Sequence, residues 1–113
     1  MKVYKLLSGA EWDAAKTAGR FEGSAVDRRD GFIHLSTAVQ APETARLHFA
    51  GQEGLVLLRL DADRLGLSLK WEPSRGGDLF PHLYGFLACA LVEAETPLAL
   101  GPDGAPELLD LVP

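Results

Sequence analysis

The apolar residues of this chain occur in short runs, and glycine, proline or polar residues interrupt them. The longest run, residues 86–92, is far shorter than the ~20 residues that a transmembrane helix requires. The chain must therefore fold from short elements, and its 113 residues are enough to bury one core, so we expect a single domain over residues 1–113. The first residues, MKVYK, are charged and lack the apolar region of a secretory signal, which favours a cytoplasmic protein.

Two segments carry the signals of helices. Ser8 and Glu11 have the spacing of a capping box, which predicts a helix that ends near Ala18, before Gly19. A second amphipathic helix is predicted from about Ala41. The polar, glycine-bounded residues between them, 23–31, are interpreted as a loop with a tight turn.

The remaining apolar segments have the length and alternation of strands. They lie at residues 3–7, 32–35, 55–60, 67–71 and 83–93. About five or six strands and about two helices, in no regular alternation, predict a small α+β domain with a mixed or antiparallel sheet. The tail, residues 97–113, is rich in Pro and Gly, and we expect it to pack back on the domain.

The charge balance restricts the possible partners. The chain has 11 Lys and Arg against 16 Asp and Glu, a net charge of -5, and no basic run. Nonspecific binding to nucleic acid needs a positive surface, so this class of partner is disfavoured. A small nucleotide-like ligand with one or two phosphates needs only local donors and remains compatible with the sequence.

Polar residues in two segments point to a groove. His34 lies on the strand of residues 32–35, and His82 and Tyr84 share a face of a later strand because strand side chains alternate. These three side chains surround one groove if the two strands are neighbours in the sheet. The alternative interpretation is structural, with a hydrogen-bonded core histidine and with Ser36 and Thr37 as helix caps.

The Arg75 loop and the histidines are candidates for two other kinds of site. The loop Ser74-Arg75-Gly76-Gly77 offers backbone donors and one guanidinium, which suit a phosphate or carboxylate, although a mobile turn has the same composition. The three histidines are His34, His48 and His82, and none has a short metal-ligand spacing to another. We therefore expect no metal.

Three segments resemble the bacterial family known as domain of unknown function 952. They are residues 30–37 (DGFIHLST), 55–61 (LVLLRLD) and 77–85 (GDLFPHLYG), and the resemblance runs from the first strand to about residue 93. The resemblance implies a fold of the ADP-ribosyltransferase group, which binds NAD. It also implies a compact core over about residues 1–93.

The same resemblance implies roles for particular residues. In ADP-ribosyltransferases a strand histidine, often followed two residues later by Ser or Thr, binds a ribose of NAD, and His34 with Ser36 matches this pattern. His82 or Tyr84 matches the residue that packs on the nicotinamide. The transferring enzymes also use a glutamate at the ribose, which stabilises positive charge on the sugar. Glu72 and Glu93 are available here, but neither stands in the matching motif.

These observations predict a groove that binds NAD or a related ADP-ribosyl or phosphorylated nucleotide. The candidate catalytic residues are His34, His82, Tyr84 and Glu72, and the candidate cofactor-binding residues are His34, Ser36, Thr37, Arg75, Gly76, Gly77 and Tyr84. An enzyme with this groove would cleave the N-glycosidic bond of NAD, with transfer of ADP-ribose or with hydrolysis where there is no acceptor, or would act as a phosphotransferase. The alternatives are a ligand-binding module without catalysis and a structural or interaction protein without a small-molecule ligand.

Overall fold

A computed structural model describes residues 1–108 and shows a small α+β domain with three antiparallel sheets. The central sheet has the strand order β4-β1-β5-β9, a second has the order β3-β7-β6, and β2 pairs with β8. The strands are β1 (Lys2–Ser8), β2 (Arg20–Phe21), β3 (Ile33–His34), β4 (Ser36–Thr37), β5 (Leu55–Asp61), β6 (Leu69–Pro73), β7 (Leu79–Leu83), β8 (Leu87–Ala88) and β9 (Val92–Pro97).

The first helix, α1 (Gly9–Ala18), confirms the prediction made from its caps. The Ser8 hydroxyl accepts a hydrogen bond from the Glu11 amide, and the Glu11 carboxylate accepts one from the Ser8 amide. Gly19 ends the helix at a φ of 83°, a left-handed conformation that favours glycine. Helix α3 (Ala41–His48) likewise begins where the sequence indicated, with Pro42 in its first turn.

Residues 23–31, interpreted from the sequence as a loop, contain a further helix. Helix α2 (Ala25–Asp30) begins after Ser24, whose amide donates to the Asp27 carboxylate, and ends at Gly31 with a φ of 88°. A one-turn helix, α4 (Ala62–Leu65), follows β5, and the Asp61 carboxylate caps its first turn by accepting a hydrogen bond from the Asp63 amide. The described residues therefore hold four α-helices where about two were expected, because the two short ones lack an apolar stripe.

Both faces of the central sheet are buried. Strands β1 and β5 pair in register from Lys2↔Asp61 to Ser8↔Leu55, so alternate side chains face opposite ways. One face packs with α1 through a core that includes Val3, Leu7, Trp12, Leu58 and Leu60. The other packs with α3 through Tyr4, Leu6, Ala41, Ala45, Leu57 and Leu108.

Two predicted strands are shorter in the structure than expected. Residues 32–35 contain only β3, and after Leu35 the chain enters a different sheet as β4, at residues 36–37. Residues 83–93 are interrupted after β7 at Gly85, whose φ of 90° turns the chain before β8. The tail packs on the core through Leu108. The predicted packing of the tail also covers residues 109–113, which lie outside the described residues.

None of the helices within residues 1–108 has the length and apolar character to cross a membrane. The same residues present no group of three or more His, Cys, Asp or Glu side chains arranged to hold a metal ion.

Candidate functional site

A cavity of about 510 Å³ opens between β1, α2, α3 and the end of β7. Its volume is within the range typical of small-molecule sites. The residues that line it are Tyr4, Lys5, Leu6, Val26, Arg29, Asp30, His34, Leu35, Ser36, Thr44, His48, Phe49, Gln52, Ser74, Arg75, Phe80 and His82. We call this space the histidine cavity, because all three histidines of the chain border it.

Pairing between β3 and β7 brings two of these histidines together. His34 and His82 are register partners in the antiparallel pair, and their ring centroids are 5.7 Å apart in an edge-to-face arrangement. Phe32, just before β3, stacks on His82 at 4.0 Å and lies 4.6 Å from His34. The aromatic packing fixes the orientation of both imidazole rings.

The carboxylate of Asp27 on α2 orients His34. Asp27 is 1% exposed, and its Oδ1 lies 2.6 Å from His34 Nδ1 and accepts a bond from the His34 amide. Its Oδ2 accepts from Lys5 Nζ at 2.9 Å and from the Ser24 amide. Burial alone would raise the pKa of Asp27, but the bonds from His34 and Lys5 outweigh it and hold that pKa well below its usual value.

Asp30, at the end of α2, faces the other ring nitrogen of His34. Its Oδ2 lies 2.9 Å from His34 Nε2, and Arg29 Nε donates to Oδ1. The hydrogen bond from Arg29 holds the pKa of Asp30 below its usual value. Each of these two contacts is an ion pair when the His34 imidazole carries a proton on both nitrogens.

A second carboxylate, Glu72 on β6, orients His82. Glu72 Oε1 lies 2.8 Å from His82 Nδ1 and accepts a bond of 2.8 Å from the Tyr84 hydroxyl. These two bonds, led by the one from His82, lower the pKa of Glu72. The bond to Glu72 raises the pKa of Tyr84, because it stabilises the neutral phenol.

Arg75 and two hydroxyl groups form the opposite wall of the histidine cavity. Both terminal nitrogens of Arg75 lie 3.3 Å from the Thr44 hydroxyl oxygen on α3, and that hydroxyl is 3.0 Å from Ser36 Oγ on β4. The guanidinium also lies over the Phe80 ring at 4.9 Å. These contacts hold a positive charge and two hydroxyls at the cavity, a set that suits a phosphate.

The structure brings four of the predicted site residues to the histidine cavity and leaves five outside its lining. The four are His34, Ser36, Arg75 and His82, and the five are Thr37, Glu72, Gly76, Gly77 and Tyr84. Thr37 exchanges hydrogen bonds with Gln40 in the manner of a cap, as in the structural interpretation. Glu93 lies on β9 and pairs with Lys2 and Arg59.

Sequence reasoning missed several residues of the site. Asp27, Lys5 and Asp30 were not among its candidates, and neither was Thr44. One signal was available, because Ser24 and Asp27 have the spacing of a capping box. The contacts of Asp27 with Lys5 and His34 had no sequence signal, since they join segments that meet only in the folded chain.

Known proteins similar to this chain were compared with it. No protein with a curated description matches it. A crystal structure of protein CC0527 from Caulobacter crescentus is 58% identical, with a TM-score of 0.97 over 99% of this chain and 98% of that one. A solution NMR structure of CC0527 is 60% identical, with a TM-score of 0.88 over 96% and 94% of the two chains. The model of the family described as "Protein of unknown function (DUF952)" matches residues 6–95, so the chain belongs to the DUF952 family.

Proposed function

We propose that the histidine cavity binds NAD or a related ADP-ribosyl or phosphorylated nucleotide. Arg75 holds a phosphate, His34 and Ser36 hold a ribose, and His82 lies against the base. The ribose and base positions follow the motif resemblance to the ADP-ribosyltransferases. The position of the phosphate follows from the charge and donors of Arg75.

One observation carries this proposal. His34, Ser36, Arg75 and His82 come from three separate segments, and all four border one cavity of about 510 Å³. If these residues served only to stabilise turns and helix caps, there would be no reason for all four to meet at one cavity. A guanidinium, two hydroxyls and two imidazoles around a partly apolar cavity match the groups of a nucleotide.

The positions of the two glutamates favour binding without ADP-ribose transfer. Glu72 is engaged by His82 and Tyr84, and Glu93 pairs with Lys2 and Arg59. Neither glutamate borders the histidine cavity. Transfer in the manner of the ADP-ribosyltransferases uses a glutamate at the ribose, so a binding module is the second candidate function.

Calorimetric titration with NAD, NADP, ADP-ribose, ATP and a 2′-phosphorylated nucleotide tests the proposal. We expect binding of at least one, and a loss of about tenfold or more in affinity in Arg75→Gln, since charge-assisted hydrogen bonds contribute about 1.5–3 kcal/mol. The matched control is Arg64→Gln, because Arg64 is exposed on α4, away from the cavity. Absence of binding at millimolar nucleotide, or equal affinities in both variants, contradicts the proposal.

Substitution of His34 is a less selective test. The His34 ring contacts the buried Asp27, so His34→Ala removes a partner of a buried carboxylate. We expect it to destabilise the fold by about 1–3 kcal/mol whether or not the cavity binds a nucleotide. Arg75→Gln avoids this difficulty, because Arg75 contacts one hydroxyl group and an aromatic ring.

A further inference from the structure

We infer that His34 and His82 form an acid–base pair that hydrolyses a phosphodiester of a nucleotide held in the histidine cavity. In this reaction His82 is the base that activates water, and His34 is the acid that protonates the leaving oxygen. The inference rests on the proposed function for the binding of the nucleotide. It adds a reaction at the phosphate.

The hydrogen bonds of His82 leave one nitrogen able to accept a proton. Its Nδ1 lies 2.8 Å from Glu72 Oε1, and a carboxylate only accepts, so Nδ1 carries the proton. In the neutral ring the lone pair is then on Nε2, which forms no hydrogen bond with residues 1–108. Because His82 borders the cavity, a water bound there can donate to Nε2.

The two carboxylates beside His34 suit a protonated imidazole, whose Nε2 lies where a substrate can reach it. Asp27 holds Nδ1 at 2.6 Å from inside the fold, and Asp30 holds Nε2 at 2.9 Å from the cavity side. Asp27 is buried, whereas 31% of the Asp30 side chain is exposed. The leaving oxygen of a bound ester can therefore replace Asp30 at Nε2 while Asp27 keeps the ring in place.

Arg75 supplies the charge that a phosphodiester requires. Within the described residues it forms no ion pair, and its terminal nitrogens donate hydrogen bonds only to the Thr44 hydroxyl. The carboxylates near the cavity are engaged by the two histidines and by Lys5 and Arg29. The guanidinium is thus free to bind a phosphate oxygen and to stabilise its charge during attack.

The reaction balances with water as the only co-reactant. Water gives a proton to His82 Nε2 as its oxygen bonds to phosphorus. The bond from phosphorus to the leaving oxygen breaks, and that oxygen takes the proton from His34 Nε2. The products are a phosphomonoester and an alcohol, and exchange of protons with solvent returns both histidines to their starting states.

Esters with different leaving groups test the two roles separately. The probes are adenosine 2′,3′-cyclic phosphate, whose leaving group is an alkoxide, and the p-nitrophenyl ester of adenosine 5′-phosphate, whose leaving group needs no acid. We expect His82→Asn to slow both reactions by about 100-fold or more. We expect His34→Gln to slow hydrolysis of the cyclic phosphate by about 100-fold or more, and hydrolysis of the p-nitrophenyl ester by less than about tenfold. Arg64→Gln is the control and keeps the full rate with both.

The outcomes separate this inference from the proposed function. Wild-type protein that binds a nucleotide in the calorimeter but cleaves neither ester overturns the acid–base pair and leaves the proposed function in place. Absence of nucleotide binding overturns both. Equal losses on the two esters in His34→Gln, with folding confirmed by circular dichroism, overturn the role of His34 as the acid.

Discussion

At the residue scale, Asp27 joins the stability of the fold to the geometry of the cavity. Its carboxylate accepts hydrogen bonds from the buried Lys5, from the backbone and ring of His34, and from the Ser24 amide. Lys5 also donates to the His34 carbonyl, so three elements meet at this carboxylate. Burial lowers the pKa of Lys5, which makes its pairing with Asp27 important for keeping the ammonium charged.

We expect Asp27→Asn to lower the free energy of unfolding by about 3 kcal/mol. Removal of one partner leaves the Lys5 charge buried without a counter-charge, and broken buried pairs cost about 3–5 kcal/mol. Urea denaturation at neutral pH measures this loss. The matched control is Asp63→Asn, an exposed residue on α4, with an expected change within about 0.5 kcal/mol. Similar losses in the two variants would contradict the importance of the buried pair.

The same carboxylate makes stability depend on pH in the acid range. The pKa of Asp27 is lowered in the folded state, so its contribution is fully present above the unfolded value of about 3.9. It is lost as the pH falls from there toward the folded-state pKa, with a slope of up to about 1.4 kcal/mol per pH unit. We expect the free energy of unfolding of Asp27→Asn to fall less steeply below about pH 4 than that of the wild type. Parallel slopes would show that Asp27 is not the group responsible.

Glu72 provides a spectroscopic test of the second carboxylate. In Glu72→Gln we expect the pKa of Tyr84 to fall toward its usual value, because the bond from the phenol to a charged acceptor raises it in the wild type. Titration of the tyrosine ring carbons by NMR measures this change. Tyr4 is an internal control, since burial raises the pKa of its phenol, and that pKa should stay the same. An unchanged titration of Tyr84 would mean that the hydrogen bond does not form in solution.

At the element scale, local signals identified α1 and failed for α2. Helix α1 combines a capping box with Gly19, and these features act within the segment itself. Helix α2 has similar ends, with Ser24 and Gly31, but its polar residues show no apolar stripe. Its inward side chain is Asp27, which is buried because Lys5 lies opposite. A contact between residues 22 positions apart cannot be inferred from the spacing of residues within one segment.

Alternation along residues 67–71 indicated a strand, and the strand found there, β6, is largely exposed. Leu67 precedes β6 and is 99% exposed, and Trp71 is 38% exposed on β6, the edge strand of its sheet. By contrast, the unbroken apolar run of residues 55–60 forms a strand covered on both faces, as such runs commonly do. The periodicity of apolar residues in the sequence shows which residues share a face of a strand. The packing of the whole domain decides whether that face is covered.

Leucines on these two segments provide a stability test. We expect Leu58→Ala to lower the free energy of unfolding by about 2–5 kcal/mol, because Leu58 is fully buried in the core between β5 and α1. The exposed Leu67 is the matched control, and Leu67→Ala should change stability by less than about 0.5 kcal/mol. Urea denaturation of both variants measures the difference. A large loss in Leu67→Ala would mean that this residue is covered in solution.

At the scale of the whole molecule, the motifs at residues 30–37 and 77–85 contain both histidines, and of the carboxylates that orient them only Glu72 was a candidate from the sequence. His34 and His82 stand on segments with strong strand signals, and their strands pair in the structure. The carboxylates that orient them lie on α2 and β6, and the hydroxyl that meets Arg75 lies on α3. Convergence of this kind depends on the order of strands in the sheets, which hydrophobic periodicity does not determine.

The first core cluster links the three-stranded sheet to the central one. Leu83 of β7 packs in the same cluster as Val3 of β1 and Leu58 of β5. Loss of either sheet therefore exposes apolar surface of the other, and a domain of this size with a shared core unfolds in one step. Two tryptophans report on the two parts, since Trp12 lies in this core and Trp71 lies on β6.

We therefore expect the fluorescence of Trp71 to follow the unfolding of the whole domain. In Trp12→Phe the only remaining indole is on β6, and its urea transition should coincide with that of the backbone seen by far-ultraviolet circular dichroism. Trp71→Phe, in which Trp12 alone reports, should show the same agreement. A Trp71 transition at lower urea than the backbone transition would mean that the β6 sheet opens separately. In that case the Glu72 side of the histidine cavity would unfold before the Asp27 side, because Glu72 lies on β6 and Asp27 contacts β1.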